Sequence, residues 1–186
     1  GTVSNLGTTM TVPKLQVYDY GASSWVLPTK LWFENSGMSF DGTVGSYGGA
    51  FYVEGSALLE LDTVEIESFE AGGYGGAIYS EESSLVLSDV DIHDGVVGIH
   101  GGGIYLDGGE LVASDVVLQD IEGQDTFGSG LFAYSTAQVD WTGGEVSDCV
   151  HDGSNVNTMG GGVFAQSDVT LVFDGVAFQG NSANEG

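Results

Sequence analysis

Three carboxylates stand at one fixed offset from a recurring apolar anchor. Glu54, Glu81 and Asp107 each follow it by three residues. If the anchors stack on neighbouring strands, these side chains stack too. Like charges about 5 Å apart repel by roughly 1 kcal/mol even in water. Ca2+ gathers several carboxylate oxygens at once, so Glu54, Glu81 and Asp107 are candidate calcium ligands. The plainer reading is that exposed acids splay apart and are screened by salt. Glu65 with Asp91, and Asp89 with Asp115, would stack in the same way. The chain has neither an EF-hand loop nor a Gly-Gly-x-Gly-x-Asp calcium-roll repeat.

A second column is aromatic: Tyr52, Tyr79, Tyr105, Phe132 and Phe164, each next to its anchor residue. Neighbours on a strand point to opposite faces, so anchor and aromatic cannot both lie inside unless the chain bends there. Facing outward, the rings would be a surface ladder for sugar rings or for another chain. Facing inward at a bend, they would be core with their hydroxyls at the edge, which is the plainer expectation.

Other groups are weaker candidates. His93 and Asp94 with His100, or Cys149 with His151 and Asp152, could hold a metal, but neither set has helical i, i+4 or Cys-x-x-Cys spacing. As structural residues, His93 points outward and Cys149 packs as a small apolar group. Carboxylate pairs for glycoside hydrolysis are uninformative in a chain this acidic. Gly98-Ile99-His100-Gly101 is similar to the Gly-His-Gly of polygalacturonases. Those enzymes need a basic cluster for the acidic sugar, and this chain has no arginine. The expectation is that it is not an enzyme.

The elements that must position these residues repeat. Gly48-Gly49-Ala50-Phe51, Gly75-Gly76-Ala77-Ile78, Gly101-Gly102-Gly103-Ile104, Gly128-Ser129-Gly130-Leu131 and Gly160-Gly161-Gly162-Val163 lead the anchors, which lie 27, 26, 27 and 32 residues apart. Each anchor is followed by two apolar pairs at period two, such as Leu85-x-Leu87 and Val90-x-Ile92. Period two means strands. Asp62, Asp89, Asp115, Gly143 and Gly175 between the pairs read as turn residues. Three short strands per ~27 residues predict an all-β fold, a right-handed parallel β-helix of about six coils. Propeller blades would need ~40 residues or more. The reading is a single domain over 1–186, with an irregular lead-in at 1–20, a degenerate anchor at Trp25 and a loop insertion at 148–159.

Composition limits the partners. Net charge is −25, from 27 acidic residues against Lys14 and Lys30. That surface repels nucleic acid and anionic membrane faces. No apolar run is long enough for a transmembrane helix, so no membrane insertion is expected. A hydrophobic content of 41% argues against disorder. The lone Cys149 cannot make an internal disulfide. The chain starts at Gly1 and reads as a mature or excised segment.

Gly48–Phe51, Gly75–Ile78 and the Phe178-Gln179-Gly180-Asn181 match to Phe-x-x-Asn resemble the repeats of polymorphic outer-membrane-protein type, found in bacterial surface adhesins. The resemblance spans roughly residues 21–186, although Phe-x-x-Asn occurs once. It implies an extracellular or cell-surface location and an adhesive role. The function expected is a rigid acidic stalk or surface scaffold, with no cofactor unless Ca2+ binds. The alternatives are a self-assembling filament subunit and a carbohydrate-binding or carbohydrate-cleaving module. The expected partners are further coils of a longer solenoid, other copies, or a glycan or host surface protein.

The stacking register makes a direct prediction. Ile104→Asp should abolish cooperative folding, because it buries an unpaired charge. Wild-type melting of that variant would overturn the register.

Overall fold

The structure, a computed structural model, describes residues 48–124, 127–151 and 158–184, and the backbone of four earlier strands, Val17–Asp19, Ser24–Val26, Lys30–Ser39 and Thr43–Val44. Among these residues it is all-β, a solenoid of parallel sheets.

The five anchors form one sheet. Its strands are Phe51–Glu54, Ile78–Glu81, Ile104–Asp107, Leu131–Tyr134 and Val163–Gln166, each parallel to the next. The register is the one the spacing predicts: Phe51 pairs with Ile78, Ile78 with Ile104, Ile104 with Leu131, and Leu131 with Val163. A longer sheet carries Lys30–Ser39, Leu58–Glu67, Ser84–Val97, Glu110–Gly123, Gln138–Ser147 and Thr170–Asp174.

The solenoid has about four turns, not six. Trp25 explains the difference at one end. Its strand, Ser24–Val26, pairs antiparallel with Val17–Asp19 instead of stacking beneath Phe51. At the other end, Val163–Gln166 is the last strand of the anchor sheet. In the longest coil, Val150–His151 still pairs with Glu122–Gly123. The extra residues of that coil therefore follow His151, and 152–157 lie outside the described residues.

The second and third strands expected in each coil are fused in Leu58–Glu67, Ser84–Val97, Glu110–Gly123 and Gln138–Ser147, and stay separate, as expected, in the last coil as Thr170–Asp174 and Ala177–Gln179. Ser84–Val97 runs through Asp89 and Asp94, which bend it at φ 52° and 54°. The turn expected at Asp62 falls one residue later, on Thr63 at φ 54°. The short polar side chain of Asp can hydrogen-bond locally and so tolerates this left-handed corner.

The core is a set of columns. Leu59, Leu85, Leu111 and Val139 stack in register, as do Leu61, Leu87, Ala113 and Trp141, and all eight are buried. Small Ala113 next to large Trp141 keeps the interior filled at nearly constant rung spacing.

The paired glycines have separate duties. Gly75 adopts φ 62°, and a Cβ there would lie 2.6 Å from the Ile78 carbonyl oxygen. At Gly76 a Cβ would lie 2.2 Å from the Gly102 carbonyl oxygen on the next rung. The first glycine turns the chain and the second lets rungs approach. Gly76→Ala should lower unfolding free energy by about 1–3 kcal/mol through overpacking. Chemical denaturation checks this, and an unchanged midpoint would contradict the close approach.

Candidate functional site

The anchor strands alternate, and both faces are used. Ile78 and Ser80 are buried on one side, in the main core or beside it; Tyr79 and Glu81 share the other. The aromatic residues stack rung on rung. Ring centroids are 5.0 Å apart for Tyr52–Tyr79, 5.1 Å for Tyr79–Tyr105, 5.0 Å for Tyr105–Phe132 and 5.5 Å for Phe132–Phe164. The first three pairs are within 5° of parallel.

This ladder forms an apolar cluster separate from the main core. A second column covers it. Tyr74, His100, Phe127 and Met159 are joined by parallel bridges, and the rings of the first three meet those of the ladder. Tyr74 lies edge-on to Tyr105 at 5.3 Å; His100 stacks on Phe132 at 5.0 Å; Phe127 stacks on Phe164 at 5.0 Å. Tyr79, Tyr105 and Phe132 are only 8%, 8% and 3% exposed. The column thus faces away from the core, and its middle is still buried, with Tyr52 and Phe164 half-buried at its ends. Most ring faces meet other rings, so solvent meets mainly edges.

The acidic column follows from the same strands. Glu54, Glu81 and Asp107 are in register on three adjacent rungs, and the fourth position is Tyr134. Two of these acids accept phenol hydrogen bonds: Tyr52 Oη donates to Glu54 Oε2 at 2.8 Å, and Tyr79 Oη to Glu81 Oε2 at 3.3 Å. The pattern covaries along the chain. Rungs with tyrosine in the ladder carry an acid two residues on, whereas Phe132 and Phe164 are followed by Tyr134 and Gln166. The signal was visible in the sequence as Tyr-x-Glu, Tyr-x-Glu and Tyr-x-Asp. Burial, then Glu81 and Glu82, push the Asp107 carboxyl above its ordinary range. Burial and the neighbouring acids push the Tyr79 and Tyr105 hydroxyls far up, so both stay neutral donors.

The histidines separate. His100 belongs to the aromatic cover, where its Nδ1 accepts a hydrogen bond from the Phe127 backbone N–H at 3.2 Å. Burial lowers its pKa, offset in part by a backbone hydrogen bond at Ile99. His93 lies on the long sheet, 3.0 Å from Asp94 Oδ2 through Nδ1 and 3.1 Å from Glu65 Oε1 through Nε2. Burial alone would lower its pKa, but the hydrogen bonds to Asp94 and Glu65 and the charges of Asp91 and Asp94 outweigh it and raise it. His93 and Asp94 are therefore together and His100 is not with them. Cys149 is buried, its thiol pushed up to about 12 by burial, and its single S–H has the Ser147 and Leu118 carbonyls within reach of Sγ at 3.4 and 3.6 Å. It is a packed apolar group. Asp152 lies outside the described residues.

A shallow polar hollow lies where the chain turns from the anchor sheet into the long sheet, lined by Ser56, Glu82, Ser83, Ser84, Glu110 and Thr136 among others. Its acids, Glu82 and Glu110, are the only charged groups lining it. No known protein family, curated protein or solved structure matches this chain. By their own geometry the rungs pack, hold the Tyr52 and Tyr79 hydroxyls in place and present acids.

His100 gives a pH dependence with a defined sign. A histidine whose folded pKa is depressed contributes stability that is complete above its unfolded value of about 6.5. That stability is lost as pH falls toward the folded value, because protonated Nδ1 cannot accept from Phe127. Melting temperatures of wild type and His100→Phe should therefore converge or cross as pH is lowered from 7.5 to 5.5. A constant difference would contradict a neutral His100.

Proposed function

We propose that the chain is a structural segment, a rigid acidic stalk or scaffold that works outside the cell or at its surface and presents an adhesive face. The observation that carries this reading is the unbroken register of the rungs: every described coil repeats the same strands and corners, with apolar columns inside and carboxylates outside. Such a design supplies stiffness and a periodic surface. A right-handed winding is part of the proposal, because parallel crossovers strongly prefer that hand. The acidity fits a salt-rich medium that screens self-repulsion. Ca2+ at Glu54, Glu81 and Asp107 would ease repulsion further.

One observation favours a second reading, continued stacking by further coils or by other copies. On the last described rung, Val172 and Phe178 are 51% and 48% exposed, and Leu171 and Phe173 are only partly covered. Strand edges of this kind recruit further strands.

Light scattering and electron microscopy at increasing protein concentration, with and without Ca2+, test both readings. The stalk reading expects a monomer of constant size that leaves polysaccharides uncleaved. Concentration-dependent growth into long rods would select stacking between copies. Release of reducing ends from a polysaccharide would overturn the structural reading.

A further inference from the structure

Two adjacent rungs of the long sheet carry between them a donor set that the others lack. Glu67 and His93 are direct partners on adjacent parallel strands, and Glu65 lies two residues before Glu67 on the same face. One ligand atom from each of Glu65, Glu67 and His93 can be chosen so that all lie within 4.8 Å of one another. Among the described residues this is the one group of three or more His, Cys, Asp or Glu side chains to converge so closely. Glu54, Glu81 and Asp107 stack in register without doing so. In register with His93, the next rungs have Gln119, Ser147 and Gln179, so the donor set is not a by-product of the repeat.

The contacts of His93 call for a positive charge, which a second ring proton or a metal ion would supply. Both ring nitrogens face carboxylates, Nδ1 toward Asp94 and Nε2 toward Glu65. A carboxylate only accepts, and a neutral imidazole has one ring proton to give. With Nδ1–H donated to Asp94, the Nε2 lone pair faces an anionic oxygen. A metal ion between them turns that conflict into two bonds. A carboxylate behind the far nitrogen is also how metal-bound imidazoles are commonly oriented.

We propose that Glu65, Glu67 and His93 form a binding site for a zinc-class divalent ion on the outer face of the long sheet, with Asp94 as the positioning carboxylate. The two glutamates supply two negative charges against the ion's two positive ones. One imidazole nitrogen favours zinc-class ions over Ca2+ and Mg2+, which prefer all-oxygen shells. Three protein ligands leave a fourth position to water. Because Glu67 and His93 sit on consecutive rungs, the ion pins one coil to the next.

The test is a Zn2+ titration of the full chain in excess Ca2+, which occupies diffuse carboxylate sites. Calorimetry gives stoichiometry, and histidine ring resonances report location. One equivalent should bind and move the His93 ring resonances, leaving those of His100 in place. His93→Gln and Glu67→Gln, each checked for a wild-type β-sheet circular dichroism spectrum, should weaken binding about tenfold or more, and Asp94→Asn should weaken it by about 10–100-fold. Asp140→Asn, an exposed acid elsewhere on the sheet, should have no effect. Uptake of many equivalents that Ca2+ suppresses, or His93 resonances that stay in place in the wild type, would overturn the proposal.

Discussion

Parallel rungs in register bring every side chain against its counterpart one coil away, at about 4.8 Å. This constraint governs the whole molecule. Apolar columns benefit from it, since Leu59, Leu85 and Leu111 each bury the next. Aromatic columns benefit as well, because planar rings at 5 Å stack with little sideways adjustment. Charged columns are penalised. The rungs answer by pairing acids with phenols at Tyr52 and Tyr79, and by interrupting acids with neutral residues, as Val117 does beyond Glu65 and Asp91.

Stacking also dictates how exceptions are absorbed. Gly95 has no side chain, and a Cβ there would lie 1.9 Å from Phe69 Cζ, so the ring of one coil fills the space left by the next. Asn181, the single asparagine of the Phe-x-x-Asn pattern, ties two backbone groups: its amide donates to the Val146 carbonyl, and its Oδ1 accepts from the Cys149 N–H. Buried Cys149 has no comparable amide and instead packs with its thiol against carbonyl oxygens. The asparagine and the apolar residues are different local solutions to one requirement, a filled and hydrogen-bonded corner.

The repeat was legible because the anchor spacing is nearly constant and every anchor keeps its glycines. The five anchor rungs and their register follow from that alone. The turn count was not legible, since Trp25 satisfies the spacing yet its strand pairs antiparallel with Val17–Asp19. Spacing places a residue on a rung only when the backbone around it can also make the corners, and Gly21-Ala22-Ser23 lacks the paired glycines of the later anchors. The aromatic ladder was legible as a column, and burial was its plainer expectation, but burial on the face away from the main core was not legible, because its cover comes from Tyr74, His100 and Phe127, which share no residue type. The Glu65–Glu67–His93 group was missed for a similar reason. It joins Glu67 and Glu65 to a histidine 26 and 28 residues further on, and sequence neighbours drew attention to Asp94 and His100 instead.

The corners bear on why the chain is so acidic. Thirteen described residues other than glycine have positive φ, and seven of them are acidic: Glu82, Asp89, Asp94, Asp115, Asp120, Asp148 and Asp168. Part of the charge is thus tied to positions whose first requirement is conformational. Asparagine is enriched in the same backbone region and is neutral. None of the thirteen is asparagine. At each of these corners a residue of equal backbone tolerance and no charge was available, and the carboxylate stands there despite repulsion from the rungs around it. Geometry accounts for a short polar side chain at most of these corners; it does not account for the sign. The negative surface is therefore a property in its own right, over and above what the corners require.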